Sequence, residues 1–388
     1  MNKTLILNDL SYNAISIYDE ALGSYVVVNK ALDITETLKL KVKNNLLTIG
    51  NEGSSIRVYK SADFTILNLE EKLDNSYDLD TIDDNVISAS EFVDILAGNN
   101  LFNGNYVVSN VQDYITAIEA IISDCPNKEI FFRGHYNYRF KLIPSLYRKE
   151  GYYNNENFMY NDFKNQFYNE LGDKKYIEIL TTMQHFSMPT RLLDTTFNPL
   201  VALYMSCDKP TNYKQRSYMG EVVIMAENKK DVKYSDSNVV RMLSSLAVLE
   251  THFKQELYNK IRESLEKKDF DILRASIAYK RFVAEVSSEL PHFDESFFNP
   301  EVLLAPKHVK VGMINERIIA QSGSFILFGL CDYENGTYEK LKTVVSKRIF
   351  VVNRKGILKQ LEMLNITPAR IYPDKDHMST TITKSYDV

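Results

Sequence analysis

Apolar and polar positions change character at about residue 108 of this 388-residue chain. Upstream, short apolar runs alternate with turn residues. Leu38-Lys39-Leu40-Lys41-Val42 has period two, the pattern of a half-buried strand. Tyr25-Val26-Val27-Val28 is a compact apolar strand after Gly23, and Leu46-Leu47-Thr48-Ile49 follows a turn at Asn44-Asn45. Ile56-Arg57-Val58-Tyr59 and Phe64-Thr65-Ile66-Leu67 continue the series. Residues 70–85 are acidic and read as an exposed connector. Ser88-Ala89-Ser90-Glu91 reads as a helix start into Phe92–Leu96. Residues 1–108 are thus expected to form a small β-rich N-terminal domain.

Downstream the period lengthens. Val111, Tyr114, Ile115, Ile118, Ile121 and Ile122 share one face of a helix that ends before Pro126. Glu129–Gly134 reads as a short core strand. The stretch from Asp162 to Leu180 reads as a long helix or a helix pair. Asn198-Pro199 opens another helix, with proline in its first turn. Glu221–Met225 and Arg348–Val352 are strands, Ile357–Met363 is a helix, and residues 239–290 are helical almost throughout. Arg317–Gln321 and Ser324–Phe328 read as strand segments about a turn or bulge at Gly323. The expected fold is α+β: a mixed β-sheet domain over 109–388, with a helical insert at about 239–290.

Composition narrows the function classes. Hydrophobic residues make up 44% and charged residues 25%, as in a globular protein with a good core. The net charge of -5 argues against a protein that coats nucleic acid through bulk charge, though a local basic groove stays open. Cys125, Cys207 and Cys331 are odd in number and far apart, so neither a disulfide framework nor a zinc cluster is expected, and a reducing cytoplasm is the natural compartment. The N-terminal apolar run is too short for a signal peptide. No run reaches the ~18–20 residues of a membrane span.

The densest chemistry lies at residues 183–203. Gln184, His185, Thr190, Arg191, Asp194, Thr195, Thr196 and Asn198 alternate there with Leu192, Leu193, Leu200 and Val201. Ionisable groups among buried apolar ones are costly unless paired or hydrogen-bonded. The stretch therefore reads either as a pocket wall or as a buried Arg191–Asp194 pair that fixes a turn. Phe131-Phe132-Arg133-Gly134-His135 presents a guanidinium at a sheet edge, where Gly134 lets backbone N–H groups approach a ligand closely. Arginine is the natural clamp for phosphate or carboxylate, and an acidic neighbour is its alternative partner. His185 with Asp194 has the make-up of a base and its orienting carboxylate, but no nucleophile turn accompanies them. The six histidines are scattered, so no metal site is expected.

These motifs, in this order, resemble the FRG domain family, named for its Phe/Tyr-Arg-Gly motif. The resemblance runs over roughly 109–385: Phe132-Arg133-Gly134, Leu142–Arg148, Gln184-His185, Pro189–Asp194, Asn198–Tyr204, Arg317–Phe325 and Tyr372-Pro373-Asp374. Two positions depart from the family: Ser187, where it usually has glycine, and Thr195, where an aromatic is frequent. The layout is also similar to that of ADP-ribosyltransferases. That similarity implies an NAD substrate, with Arg133, Gly134, Gln184, Arg191 and Thr196 toward the nucleotide. Thr195 or Thr196 would hold the nicotinamide ribose, and Glu316 or Gln321 would stand in the third, catalytic place. A glutamine there cannot serve as a general base. The reading is an NAD-using transferase or glycohydrolase acting on an unnamed macromolecular target, of the kind found in bacterial conflict (phage defence or toxin systems). The alternatives are a non-catalytic module for a nucleotide or phospholigand and a nucleic-acid-processing enzyme built on His185 and Asp194.

Overall fold

The computed structural model describes residues 14–19, 24–29, 40–43, 46–51, 54–59, 105–108, 110–138, 140–208, 220–295, 298–312, 315–332, 346–351, 354–374, 379 and 383. The strand expected at Phe64–Leu67, the acidic connector and the helix start at Ser88 lie outside these residues.

The upstream strands are β1 (Ala14–Asp19), β2 (Ser24–Asn29), β3 (Leu40–Lys43), β4 (Leu46–Asn51) and β5 (Ser54–Tyr59). β1 pairs with β2, and β3 to β5 form an antiparallel meander. The remaining strands are β6 (Asn105–Val108), β7 (Lys128–His135), β8 (Leu192–Thr196), β9 (Gly220–Asn228), β10 (Lys233–Tyr234), β11 (Lys307–Lys310), β12 (Gly323–Leu327) and β13 (Lys347–Val351). They form a mixed sheet in the order β10-β11-β12-β8-β7-β9-β13-β6, which β5 extends through a parallel pairing with β6. The α+β expectation holds.

The pleat of β7 explains the layering. Successive side chains of a strand point to opposite faces. Phe131 joins Leu193, Val223, Met225, Ile326 and Phe328 in one cluster. Phe132 joins Val222, Ile224, Ile349 and Val351 in another. That second face is covered by α1 (Val111–Ser123), α6 (Pro199–Cys207) and α12 (Arg354–Met363), through Tyr114, Ala202, Leu203, Ile357 and Leu361. Asn198 starts α6 as expected: its side-chain oxygen accepts from the N–H of Leu200 at 2.9 Å and of Val201 at 3.4 Å, ahead of Pro199.

The insert is helical as read, from α7 (Asn238–Ser245) through α8 (Thr251–Lys267) and α9 (Asp271–Ala275) to α10 (Ile277–Glu289). Its apolar faces, with Leu243, Leu257, Ile261 and Phe282, share a core with Leu192, Phe325 and Leu327 of the sheet. The 162–180 stretch is broken into α3 (Glu156–Gln166), α4 (Tyr168–Leu171) and α5 (Tyr176–His185), preceded by α2 (Glu150–Asn154).

Arg317–Gln321 differs from its expectation. Glu316–Ala320 is a short helix, α11, not a strand. The Ile318-Ile319 pair reads as strand by propensity. The capping chemistry of Asn315 wins, its side chain accepting from the Ile318 N–H at 2.8 Å. One isoleucine, Ile318, is buried, while Ile319 is exposed. Ser322, at φ 47°, turns the chain from α11 into β12.

Candidate functional site

Three distant segments meet in one row of the sheet. Phe132 of β7 is opposite Thr196 of β8, and Thr196 is opposite Gly323 of β12. Arg133, Thr195 and Thr196, and the Gln321–Ser324 corner thus become neighbours, although about 190 positions separate the first from the last.

Arg133 is held on two sides. Its Nε donates to His135 Nε2 at 2.8 Å, and its Nη1 donates to the carbonyl of Asp194. Nη1 also stands 3.9 Å from the Asp194 carboxylate. Burial pulls the guanidinium pKa down to about 10, with Asp194 opposing and Arg148 adding to the fall. The group keeps its charge at neutral pH. Gly134 has a different task from the one expected. A Cβ there would lie 2.0 Å from the Ala202 carbonyl oxygen of α6 and 2.8 Å from Met205 Cβ. Its missing side chain lets α6 close on β7, so the space beside it is filled by helix and not by a ligand.

A cleft opens beside this row, lined by Gln184, His185, Asp194, Thr195, Arg317 and Gln321, among others. Among the described residues Asp194 is the one carboxylate in its lining. Its side chain is 47% exposed and accepts from Gln184 Nε2 at 2.9 Å. Gln184 is itself fixed by Thr190, whose hydroxyl donates to Gln184 Oε1 at 2.5 Å. His185 contributes an Nδ1 that is buried and makes no hydrogen bond among the described residues. Burial lowers its pKa, Arg317 lowers it further and Asp374 opposes. Among the described residues no hydrogen bond joins His185 to Asp194, so the base–carboxylate pair read from the sequence is not formed here.

The hydroxyls are engaged. Thr195 Oγ1 is 2.7 Å from Ser324 Oγ, and Thr196 Oγ1 donates to the Gln321 carbonyl at 2.6 Å. Thr196 also accepts from the Asn198 N–H at 2.9 Å, which ties the strand end to the cap of α6. The Gln321 side chain donates to the Ile371 carbonyl at 3.1 Å. Glu316 is exposed at the start of α11 and is not part of the cleft lining.

Arg191 lies apart from all of these. It is fully buried, with Nε and Nη2 on the two Glu156 oxygens at 2.8 and 2.5 Å and Nη1 on the Phe328 carbonyl at 3.0 Å. Lys254 Nζ, also fully buried, donates to Glu156 Oε2 at 2.5 Å. The expected Arg191–Asp194 pair is replaced by this cluster, and Arg191 has no surface to offer a nucleotide. The pleat gives the reason: residues three apart along extended chain project to opposite faces. Glu156, Lys254, Glu221 and Arg348 carry no sequence signal of their own, because each lies outside the motifs and far along the chain from the group it meets.

The cleft has a volume of about 20 Å³, room for roughly one water molecule. A cavity of about 780 Å³ lies elsewhere, lined by Lys233, Met242, Phe293, Phe298 and Lys307 among others, and none of the motif residues borders it. No group of His, Cys, Asp or Glu that could hold a metal ion occurs among the described residues, and all three cysteines are free. No helix among those residues is long and apolar enough to cross a membrane.

No curated protein and no solved structure matches the chain. Residues 128–215 match the FRG domain family, a narrower span than the 109–385 expected from the sequence. That span carries Arg133, Gln184, Arg191, Asp194, Thr195 and Thr196, and with them two of the three strands of the sheet row and one side of the cleft. The chain carries an FRG domain.

Proposed function

We propose that the cleft beside Arg133 recognises a phosphate-bearing nucleotide, with NAD as the substrate and ADP-ribosyl transfer or NAD hydrolysis as the reaction. The observation that carries this reading is the row Phe132–Thr196–Gly323, which sets Arg133 of β7 against Asp194 of β8, beside a cleft that Asp194 and Gln321 line. Arg133 supplies a fixed guanidinium for the pyrophosphate. Asp194 takes the acidic role that Glu316 was expected to fill, because it is the carboxylate in the cleft. Held by Gln184 and half exposed, it can accept a ribose hydroxyl proton and face the positive charge of an oxocarbenium. Thr195 and Gln321 shape the wall, since their side chains are already bonded to Ser324 and to the Ile371 carbonyl, and Thr196 ties the strand to the Gln321 carbonyl behind it.

Room is the requirement. Sites for small molecules and cofactors enclose about 300–1,000 Å³. Binding therefore requires α11, whose Arg317 and Ile318 line the cleft, to move away from β8. Incubation with NAD, read as nicotinamide release and as mass added to candidate proteins, tests the reaction. Wild-type turnover lost in both Arg133→Ala and Asp194→Asn supports it. Tight nucleotide binding that needs Arg133, with no turnover and no effect of Asp194→Asn, supports a non-catalytic nucleotide module instead.

A further inference from the structure

Arg133 stands at one end of a chain of polar side chains that crosses three strands. Glu221 of β9 lies opposite His135 in the antiparallel register, and Phe350 of β13 lies opposite Glu221. The Glu221 carboxylate is fully buried and accepts from His135 Nδ1 at 2.8 Å and from Arg348 Nη1 at 2.5 Å. His135 in turn accepts at Nε2 from Arg133 Nε. An arginine N–H can only donate, so Nε2 must keep its lone pair and the ring proton must sit on Nδ1, facing Glu221. The arrangement allows a single neutral tautomer. Burial favours the same state, pulling the His135 pKa down to about 4, with Arg133 and Arg348 lowering it and Glu221 opposing. The ring of Phe140 closes the remaining side, edge-on at 5.9 Å.

A carboxylate buried this deeply is a poor device for stability alone, because apolar residues of similar volume usually serve as well or better. What the chain achieves is geometric. His135 fixes Arg133 Nε, and the Asp194 carbonyl fixes Nη1. Among the described residues no hydrogen bond engages Arg133 Nη2, so the guanidinium is oriented with that NH2 group left for a ligand.

We propose that His135 and Glu221 are positioning residues that aim the Arg133 guanidinium at the anionic group of the ligand. This rests on the nucleotide reading above and adds to it the two residues on which Arg133 depends. Neither touches the ligand. Glu221 sets the tautomer of His135, His135 sets the rotation of Arg133, and Arg348 neutralises Glu221.

The test uses the full chain with ADP-ribose as the probe in titration calorimetry. Wild type binds and Arg133→Ala does not. His135→Phe weakens binding by about tenfold or more, the size expected when a charge-assisted contact loses its aim. His135→Gln, whose carbonyl can accept from Arg133 and whose amide can donate to Glu221, recovers affinity to within about threefold of wild type. Wild-type affinity retained by His135→Phe overturns the proposal. A second measurement does not depend on variants folding. Long-range 15N spectra of the wild-type imidazoles should show His135 protonated at Nδ1 and neutral at pH 6; a ring protonated at Nε2, or on both nitrogens, overturns it. If wild type and Arg133→Ala fail to bind ADP-ribose alike, the nucleotide reading fails and takes the positioning role with it. If Arg133 matters and His135 does not, only the positioning role falls.

Discussion

Two ionic clusters of similar make-up lie on this sheet and are built to opposite ends. Glu156, Arg191 and Lys254 are all fully buried, and the Glu156 carboxylate is shared by both cations. Attraction from Arg191 and Lys254 holds the Glu156 carboxyl below its ordinary pKa against the opposing effect of burial. The chain Arg133–His135–Glu221–Arg348 is closed at Glu221 and open at Arg133, whose side chain is 15% exposed. Both clusters contain a motif arginine. The first joins the strand to α3 and α8 and leaves no donor for a ligand. The second leaves one. Family motifs alone do not separate an architectural arginine from a binding one; the partners do.

The comparison breaks most readily at Glu156. Glu156→Ala leaves two buried cations without an anion and should cost about 3–5 kcal/mol, measured by urea unfolding. A loss under about 1 kcal/mol would mean that the cluster is not the closed unit described. Acid comes next. Burial pulls His135 down to about 4, and an unfolded histidine titrates near ~6.5. Between those values the unfolded chain binds the extra proton, so stability is full above about pH 6.5 and drains as pH falls toward 4, by up to about 3 kcal/mol. His308, also lowered to about 4 by burial, drains in the same window. The part due to His135 is the part that His135→Gln abolishes, read from unfolding curves between pH 4 and 7. Gly134→Ala, which drives a methyl into the α6 backbone, should cost about 2 kcal/mol by thermal or urea unfolding, with a larger loss if α6 is forced off the sheet. Arg133→Ala is the mildest of the four for folding, at about 1 kcal/mol, because the side chain is partly solvated and loses only its hydrogen bonds.

Elements with local signals were legible in the chain. The Asn198-Pro199 cap, the strands at 128–135 and 220–228 and the helical insert all follow from capping, short apolar runs and helical period. Ser187, where glycine is the family habit, has φ 61°, so its backbone occupies the left-handed region that glycine favours. Arg317–Gln321 reads as strand because its β-branched residues outweigh a single capping asparagine, and the cap decides the structure. At the site, Arg133, Gln184, Asp194, Thr195 and Gln321 could be picked out by their motifs, but their division of labour could not. Whether Arg191 meets Asp194 or Glu156 depends on a partner 35 positions away, and Glu221 gives no sign in sequence that His135 needs it. Tertiary packing sets both, helix α3 against the start of β8 in one case and β7 against β9 in the other, and local pattern carries no record of it.

The central claim is that the row Phe132–Thr196–Gly323 assembles a nucleotide site around the open end of Arg133. Its most direct test is nicotinamide release from NAD by the full chain, measured beside Arg133→Ala and Asp194→Asn with folding verified for each. Release by wild type and its loss in both variants is the predicted result. Folded variants that release nicotinamide as fast as wild type, or a wild type that neither binds nor consumes NAD, would contradict the account.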